Sequence, residues 1–458
     1  MNMKKAIRLV MVGIIASATI VGCKPKDDGA APISIIPVDQ VLTGNLETQT
    51  LDASKVYTLK GLTYINTGKT LTIPAGTIIM GDKSSKASSI VNRGGKLIPN
   101  GTASNPIIFT SSAPAPYKNY GDWGGIVLCG KAPNNQSANQ VMEGPTDFSV
   151  TSGNGVFGGN DETDNSGSLS YVRLEFGGIA YSPDKEINGL TLCSVGSGTT
   201  INHIQISYSG DDATEWFGGS VNCKYMVHFR TWDDDFDTDF GYHGNVQFGV
   251  AMRDKLVGDP GSLSNGFESD NDASGSGNTP FTTAKFSNIT IMGPKVYAQS
   301  AISANFNAGM HVRRNTELTI QNCLVTGFPT NANFDKYQGN VAMNIKNNLF
   351  AAWKGSNSSN ANGAVFTAGN GNDSLGFWSA NKFGSKNSVA AIYADTTLSN
   401  GNPAQVATSA GLTGANFTDL TDPFFTSTTY MGAMGTSPDA AWGWNSGWLN
   451  FTPEATTY

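Results

Sequence analysis

Short apolar runs recur along most of the chain, and almost none has the 3.6-residue period of an amphipathic helix. Examples are Leu71–Ile73, Thr77–Met80, Ile107–Phe109, Ile126–Leu128, Val172–Leu174 and Ile204–Ile206, then Phe286–Ile289, Leu318–Ile320 and Met343–Ile345. Between them stand Gly, Asn, Asp and Ser, residues that accept the backbone geometry of tight corners. Two-residue hairpin signals are rare between successive runs, which argues against an antiparallel sandwich. Strands separated by such corners suit stacked coils, each burying a narrow apolar strip against its neighbours. The expected fold is all-β, a single right-handed parallel β-helix with long Gly/Asn-rich loops.

The first residues read differently. Lys4, Lys5 and Arg8 precede an apolar or small stretch from Leu9 to Ile20, too short to span a bilayer as a helix. It closes on Ile20-Val21-Gly22-Cys23, which resembles the lipobox of bacterial lipoproteins. The resemblance implies that Cys23 becomes the acylated first residue and anchors the chain to a membrane. Lys24-Pro25-Lys26-Asp27-Asp28 resembles the short charged export signal of surface lipoproteins, which implies the outer membrane and its exterior face. The expected organisation is a signal peptide over residues 1–22, a lipid-anchored tether over 23–46, a β-helix over 47–350, and C-terminal coils and loops over 351–458 packed on it.

Composition narrows the class. Charged residues make up 14% of the chain and glycines number 54, in keeping with a loop-rich solenoid. A net charge of −7 argues against nucleic acid, which calls for a basic face. Cys129, Cys193, Cys223 and Cys323 follow no CxxC spacing, so zinc and dithiol redox motifs are not expected. Disulfides and buried core thiols both remain open for them.

Candidate chemistry concentrates in one stretch. Asp211, Asp212 and Glu215 precede Asp233, Asp234 and Asp237 by 22 residues each, about the length of one coil. The three pairs are expected to stack on one face, with Asp239 following and Glu268, Asp270 and Asp272 adding a third layer. Ile204 and Ile206 align better with Val227 and Phe229, at 23 residues, so a bulge is expected in one coil. Stacked carboxylates repel unless a cation sits between them. Oxygen ligands without His or Cys suit Ca²⁺ better than Mg²⁺, which keeps its waters and wants a stricter octahedron. The plainer reading is a solvated acidic face whose aspartates shape turns. Asp161-Glu162-Thr163-Asp164-Asn165 is either a second cation loop or an exposed polar loop, and Glu175, Asp184 and Glu186 are candidates to extend the acidic face. His203, His228, His243 and His311 form no metal-spaced pair, and the aromatics Trp216, Phe217, Trp232, Phe236, Phe240 and Tyr242 are expected mainly in packing.

Two further resemblances bear on function. Gly68–Ile79, Pro106–Ser111, Gly121–Leu128 and the ending Trp442–Trp448 resemble a group of β-helix surface lipoproteins of largely unassigned function. Asp233–Asp237, with Asp211 or Asp212 one coil earlier, is similar to the calcium site of family-nine pectate lyases, which implies Asp212, Asp233, Asp234 and Asp237 as ligands. Those enzymes present a lysine base from a later coil, where this chain has Gly266–Asp272 without one. Arg313 and Arg314 come one strand later and are the alternative catalytic pair; their plainer role is ion pairing with the acidic strip. The leading expectation is therefore a non-catalytic, calcium-binding surface lipoprotein that binds a glycan or a partner protein. The alternatives are a calcium-dependent uronate lyase and an accessory subunit of a TonB-dependent outer-membrane transporter.

Overall fold

A computed structural model describes residues 40–182, 185–296, 301–336, 344–351, 364–366, 374–384 and 391–458. Cys23, the leader, the charged segment after it and Asp184 lie outside these residues. Twenty-six strands join in one sheet whose pairings are parallel, and the chain forms a single right-handed parallel β-helix. The first strand, Val41–Leu46, already pairs with Val56–Ile65, so the solenoid begins within the segment expected as tether. The solenoid also continues past residue 350, where Lys382–Phe383 pairs with Leu349–Ala351.

Two long ladders carry the fold. One runs through Ile126–Cys129, Leu190–Val195, Thr214–Gly219, Phe236–Asp239, Phe267–Ser269, Met310–Arg313 and Ala332–Asp335. The other runs through Ser168–Glu175, Thr200–Ser207, Cys223–Phe229, Asn245–Met252 and Lys285–Met292. Side chains alternate in and out along each strand. Leu192, Trp216, Phe236, Phe267 and Met310 therefore enter the core together with Ile204, Ile206 and Met226. Polar residues that point inward bond to one another: Thr238 donates to Ser269 at 2.8 Å, and Ser269 and Thr316 share a hydrogen bond of 2.8 Å.

The expected bulge is absent from this pair of coils. Ile204 pairs with Met226 and Ile206 with His228, a 22-residue step in register with the acidic ladder. Val227 and Phe229 belong to a separate outer cluster, so the apolar pattern alone mistook outward residues for inward ones. His228 takes the inward place, fully buried, its Nε2 3.1 Å from Thr214 Oγ1.

Each long strand bends at one residue with positive φ. Tyr171, His203, Tyr225 and Phe248 occupy that bend in successive coils, and Asn288, Asn322 and Asn347 occupy it in the next three. A left-handed backbone costs an ordinary side chain ~1–2 kcal/mol, less for Asn, whose short amide bonds locally. Stacking offsets part of it for the rings: Tyr171 and His203 lie 4.2 Å apart, His203 and Tyr225 4.4 Å, Tyr225 and Phe248 5.3 Å. Residues 391–458 cover this column. Trp442 and Trp448 are buried against it, His203 Nε2 lies 2.7 Å from the Ala441 carbonyl, and Asn288 Nδ2 donates to the carbonyls of Tyr430 and Gly432 at 3.1 Å.

Candidate functional site

The acidic residues stand where the first ladder turns into its strands. Glu215 pairs with Asp237, Asp237 with Glu268, and Glu268 with His311, giving one outward column. Phe217 pairs with Asp239 in the neighbouring column, and Arg313 with Asp335 further on. The preceding corner has its own column. The amide of Asp234 donates to Asp212 Oδ1 at 2.7 Å, that of Asn265 to Asp234 Oδ1, and that of Ala308 to Asn265 Oδ1 at 3.3 Å. Asp212 thus shapes its turn through one oxygen, whereas Asp234 also accepts from Asn265 Nδ2 through Oδ2 at 3.4 Å. Asp233 Oδ2 accepts from Ser262, while its buried Oδ1 finds no hydrogen-bond partner among the described residues.

Two groups bring three carboxylates within ligand distance. Asp211, Asp212 and Asp233 form one, and Asp212, Glu215 and Asp237 the other; in each, one oxygen per residue lies within 4.8 Å of the others. Asp212 belongs to both. Glu215 Oε2 also accepts from Asn188 at 2.5 Å. Oxygen donors alone, without thiol or imidazole, are the chemistry of a hard divalent ion.

Charge is distributed unevenly over the layers. Arg313 reaches Glu268 and, at 2.9 Å, Asp270; Arg314 reaches Asp270 at 2.7 Å; His311 Nδ1 lies 3.3 Å from Glu268. Among the described residues, Asp211, Asp212, Glu215, Asp233, Asp234, Asp237 and Asp239 form no ion pair. Burial is the main cause that pushes all seven carboxyls up, opposed in Asp233 by the Ser262 hydroxyl, which leaves it at about 7. Like charges add to this: Asp233 acts on Asp211, Asp211 on Asp212, and Glu268 on Asp237. Burial lowers the Arg313 guanidinium, but Glu268 and Asp270 outweigh it and raise its pKa, holding its proton more firmly.

A cavity of ≈ 310 Å³ opens over these layers. Glu215, Asp237, Asp239, Glu268, Asp270, Arg313 and Arg314 line one side. Val141, Met142, Phe157, Phe217 and Phe240 line the other. Part of the apolar side comes from an antiparallel hairpin, Gln140–Val141 with Val156–Phe157, in the long insertion after Ile126–Cys129. Asn135 Nδ2 ties the insertion to the Asn271 carbonyl at 2.6 Å.

Several expected members lie elsewhere. Asp272 leaves the stack and holds its own loop, accepting from the Ser274 amide at 2.9 Å and the Ser276 amide at 3.0 Å. Glu175 sits on the other ladder opposite Ser207, where Oε1 accepts from Tyr458 at 2.6 Å. Glu186 lies in the hairpin of Ile179–Ser182 with Lys185–Ile187 and acts on Asp211 through charge. Asp161 caps a turn by accepting from the Thr163 amide at 3.1 Å, and Asp164 accepts from the Lys131 amide at 3.1 Å. Sequence reasoning passed over Glu143 and gave His311 no part in the site. Glu143 is carried in by the insertion, and His311 is reached only through register with Glu268. Asp235, between the stacked positions Asp234 and Asp237, is instead buried inside with Arg253 at 3.2 Å.

The coils and the carboxylate-lined cavity define a β-helix protein with an acidic cleft on one ladder. A family model described as "Pectate-lyase like beta helix domain" matches residues 44–408, and the chain belongs to that family. No curated protein and no solved structure matches it.

Proposed function

We propose that this chain is a calcium-binding β-helix lipoprotein of the outer membrane, displayed on the cell exterior, whose acidic cleft serves binding rather than catalysis. The observation that carries the calcium reading is the imbalance of charge. Seven enclosed carboxylates stand in the upper layers without an ion pair among the described residues, while the arginines engage the layer below. A divalent ion shared through Asp212 offsets that repulsion, and protons are its competitors. The anchor rests on the Cys23 motif, and the exterior face on the charged residues after it.

Saturating Ca²⁺ should stabilise the fold by ~2.7 kcal/mol at one hundred times its dissociation constant. At ~2.1 cal/mol/K per residue over roughly 400 residues, that is a rise in Tm of about 3 °C. Asp212→Asn or Asp237→Asn should abolish the rise. Identical melting curves in calcium and in chelator would reject the proposal.

A second reading, a calcium-dependent uronate lyase, is favoured by the family description. It needs a base, and Arg313 and Arg314 are the cations at the cavity. Both are engaged by carboxylates, and an arginine gives up its proton only above pH ~12. No rise in absorbance near 235 nm is expected on polygalacturonate, alginate or glycosaminoglycans with calcium. A rise abolished by Arg313→Ala or Arg314→Ala would replace the binding reading with the lyase. Glycan or protein ligands of the cleft are sought by retention of the purified protein on immobilised acidic and neutral polysaccharides.

A further inference from the structure

Near the acidic layers, the wall beneath the hairpin carries three sulfur atoms. Cys129 and Cys193 pair directly in register on adjacent parallel strands, so the sheet itself holds their backbones ~4.8 Å apart. Met142 arrives from the inserted hairpin, with its sulfur 3.6 Å from Cys193 Sγ. The two cysteines are wholly buried and Met142 is 3% exposed, yet Met142 also lines the cavity, which supplies a path to the sulfurs. The two remaining described thiols are placed differently: Cys223 belongs to the solenoid core, and Cys323 is held by the Ile289 amide and the Gln321 carbonyl.

Burial disfavours a bare thiolate at Cys193, and Glu215 and Glu143 add negative charge beside it, which a bound cation would offset. Hard ions are drawn to carboxylate oxygen; thiol and thioether sulfur select soft ions such as Cu(I). Three sulfurs brought together by a strand register and a hairpin match the low coordination number of such an ion. We propose that Cys129, Cys193 and Met142 form a soft-metal site that takes monovalent copper, separate from the carboxylate groups and entered through the cavity. Binding breaks the S–H bond of a cysteine, releases its proton to solvent and forms a metal–sulfur bond, with no change in oxidation state.

The test is an anaerobic titration of the reduced full chain, purified in detergent, with Cu(I) against a chromogenic Cu(I) chelator. The parent protein should withhold one ion per chain and gain sulfur-to-metal absorbance in the near ultraviolet. Cys129→Ser and Cys193→Ser should each weaken retention by roughly 100-fold or more, and Met142→Leu by about 10-fold. Cys223→Ala and Cys323→Ala should leave it unchanged. Leucine nearly conserves the volume of methionine, so Met142→Leu decides the matter if a serine variant does not fold. Retention unaffected by Met142→Leu, or a Cys129–Cys193 disulfide in the protein as isolated, would overturn the proposal.

Discussion

At the scale of single residues, Asp212 joins two tasks that can be separated. One oxygen accepts the Asp234 amide at 2.7 Å, and the same carboxylate belongs to both candidate ion groups. Asp212→Asn keeps an acceptor for that amide and removes a charge raised against its neighbours, so stability without calcium should hold or rise. Asp212→Ala leaves a buried amide unpaired and should cost ~1–3 kcal/mol in urea unfolding. Equal losses in the two variants would show that the charge, not the hydrogen bond, holds the corner. His228 offers a second separable effect. Burial is the main cause that pulls its pKa down to about 3, so the folded state refuses a proton that the unfolded chain accepts below ~6.5. The stability it contributes is present above pH 6.5 and lost as pH falls toward 3, by up to ~1.4 kcal/mol per pH unit. Subtracting the pH profile of His228→Gln from that of the parent should isolate this slope; superimposable profiles would refute it.

At the scale of elements, the bend column explains what a strand pattern conceals. Asn288 holds φ 55° and donates to Thr428 Oγ1 at 3.0 Å as well as to two backbone carbonyls of the C-terminal segment. Asn288→Ala should lose ~1–3 kcal/mol and expose the backbone near Thr428–Gly432 to hydrogen exchange, whereas an exchange map like the parent's would deny that the side chain fastens this segment. Coil length and the stacking of Glu215 on Asp237 were legible in the sequence because the 22-residue spacing of the carboxylates is the step of the ladder itself. The register of the second ladder was not, since Met226 and His228 point inward while Val227 and Phe229 point outward. Apolarity marks a buried residue, and here both sides of the strand are buried, one by the core and one by the C-terminal segment. The apolar wall of the cavity escaped notice for a related reason. Met142 and Phe157 reach it from an insertion whose place over the ladder no periodicity encodes.

At the scale of the whole molecule, the carboxylates and His228 set opposite pH responses. Folded carboxyls such as Asp233, pushed up to about 7, bind protons that the unfolded chain has released. In chelator, their contribution is fullest below pH ~4 and is lost as pH rises toward 7; saturating calcium should flatten that loss, and a chelator-independent profile would count against an ion in the cleft. Anchoring is tested by Cys23→Ala, which should move the protein from membranes to soluble fractions, while sedimentation with the outer membrane after a carbonate wash would contradict the lipid anchor. The segment that covers the bend column bears on timing. Gln205 Nε2 donates to the Asn450 carbonyl at 2.7 Å, and the Lys118 ammonium to that of Thr456 at 2.9 Å. Early coils are thus sealed by residues that a ribosome adds hundreds of positions later. Contacts so distant in sequence form slowly. On the proposed export route, this order of closure would keep the first coils open and threadable until the chain has crossed the membrane.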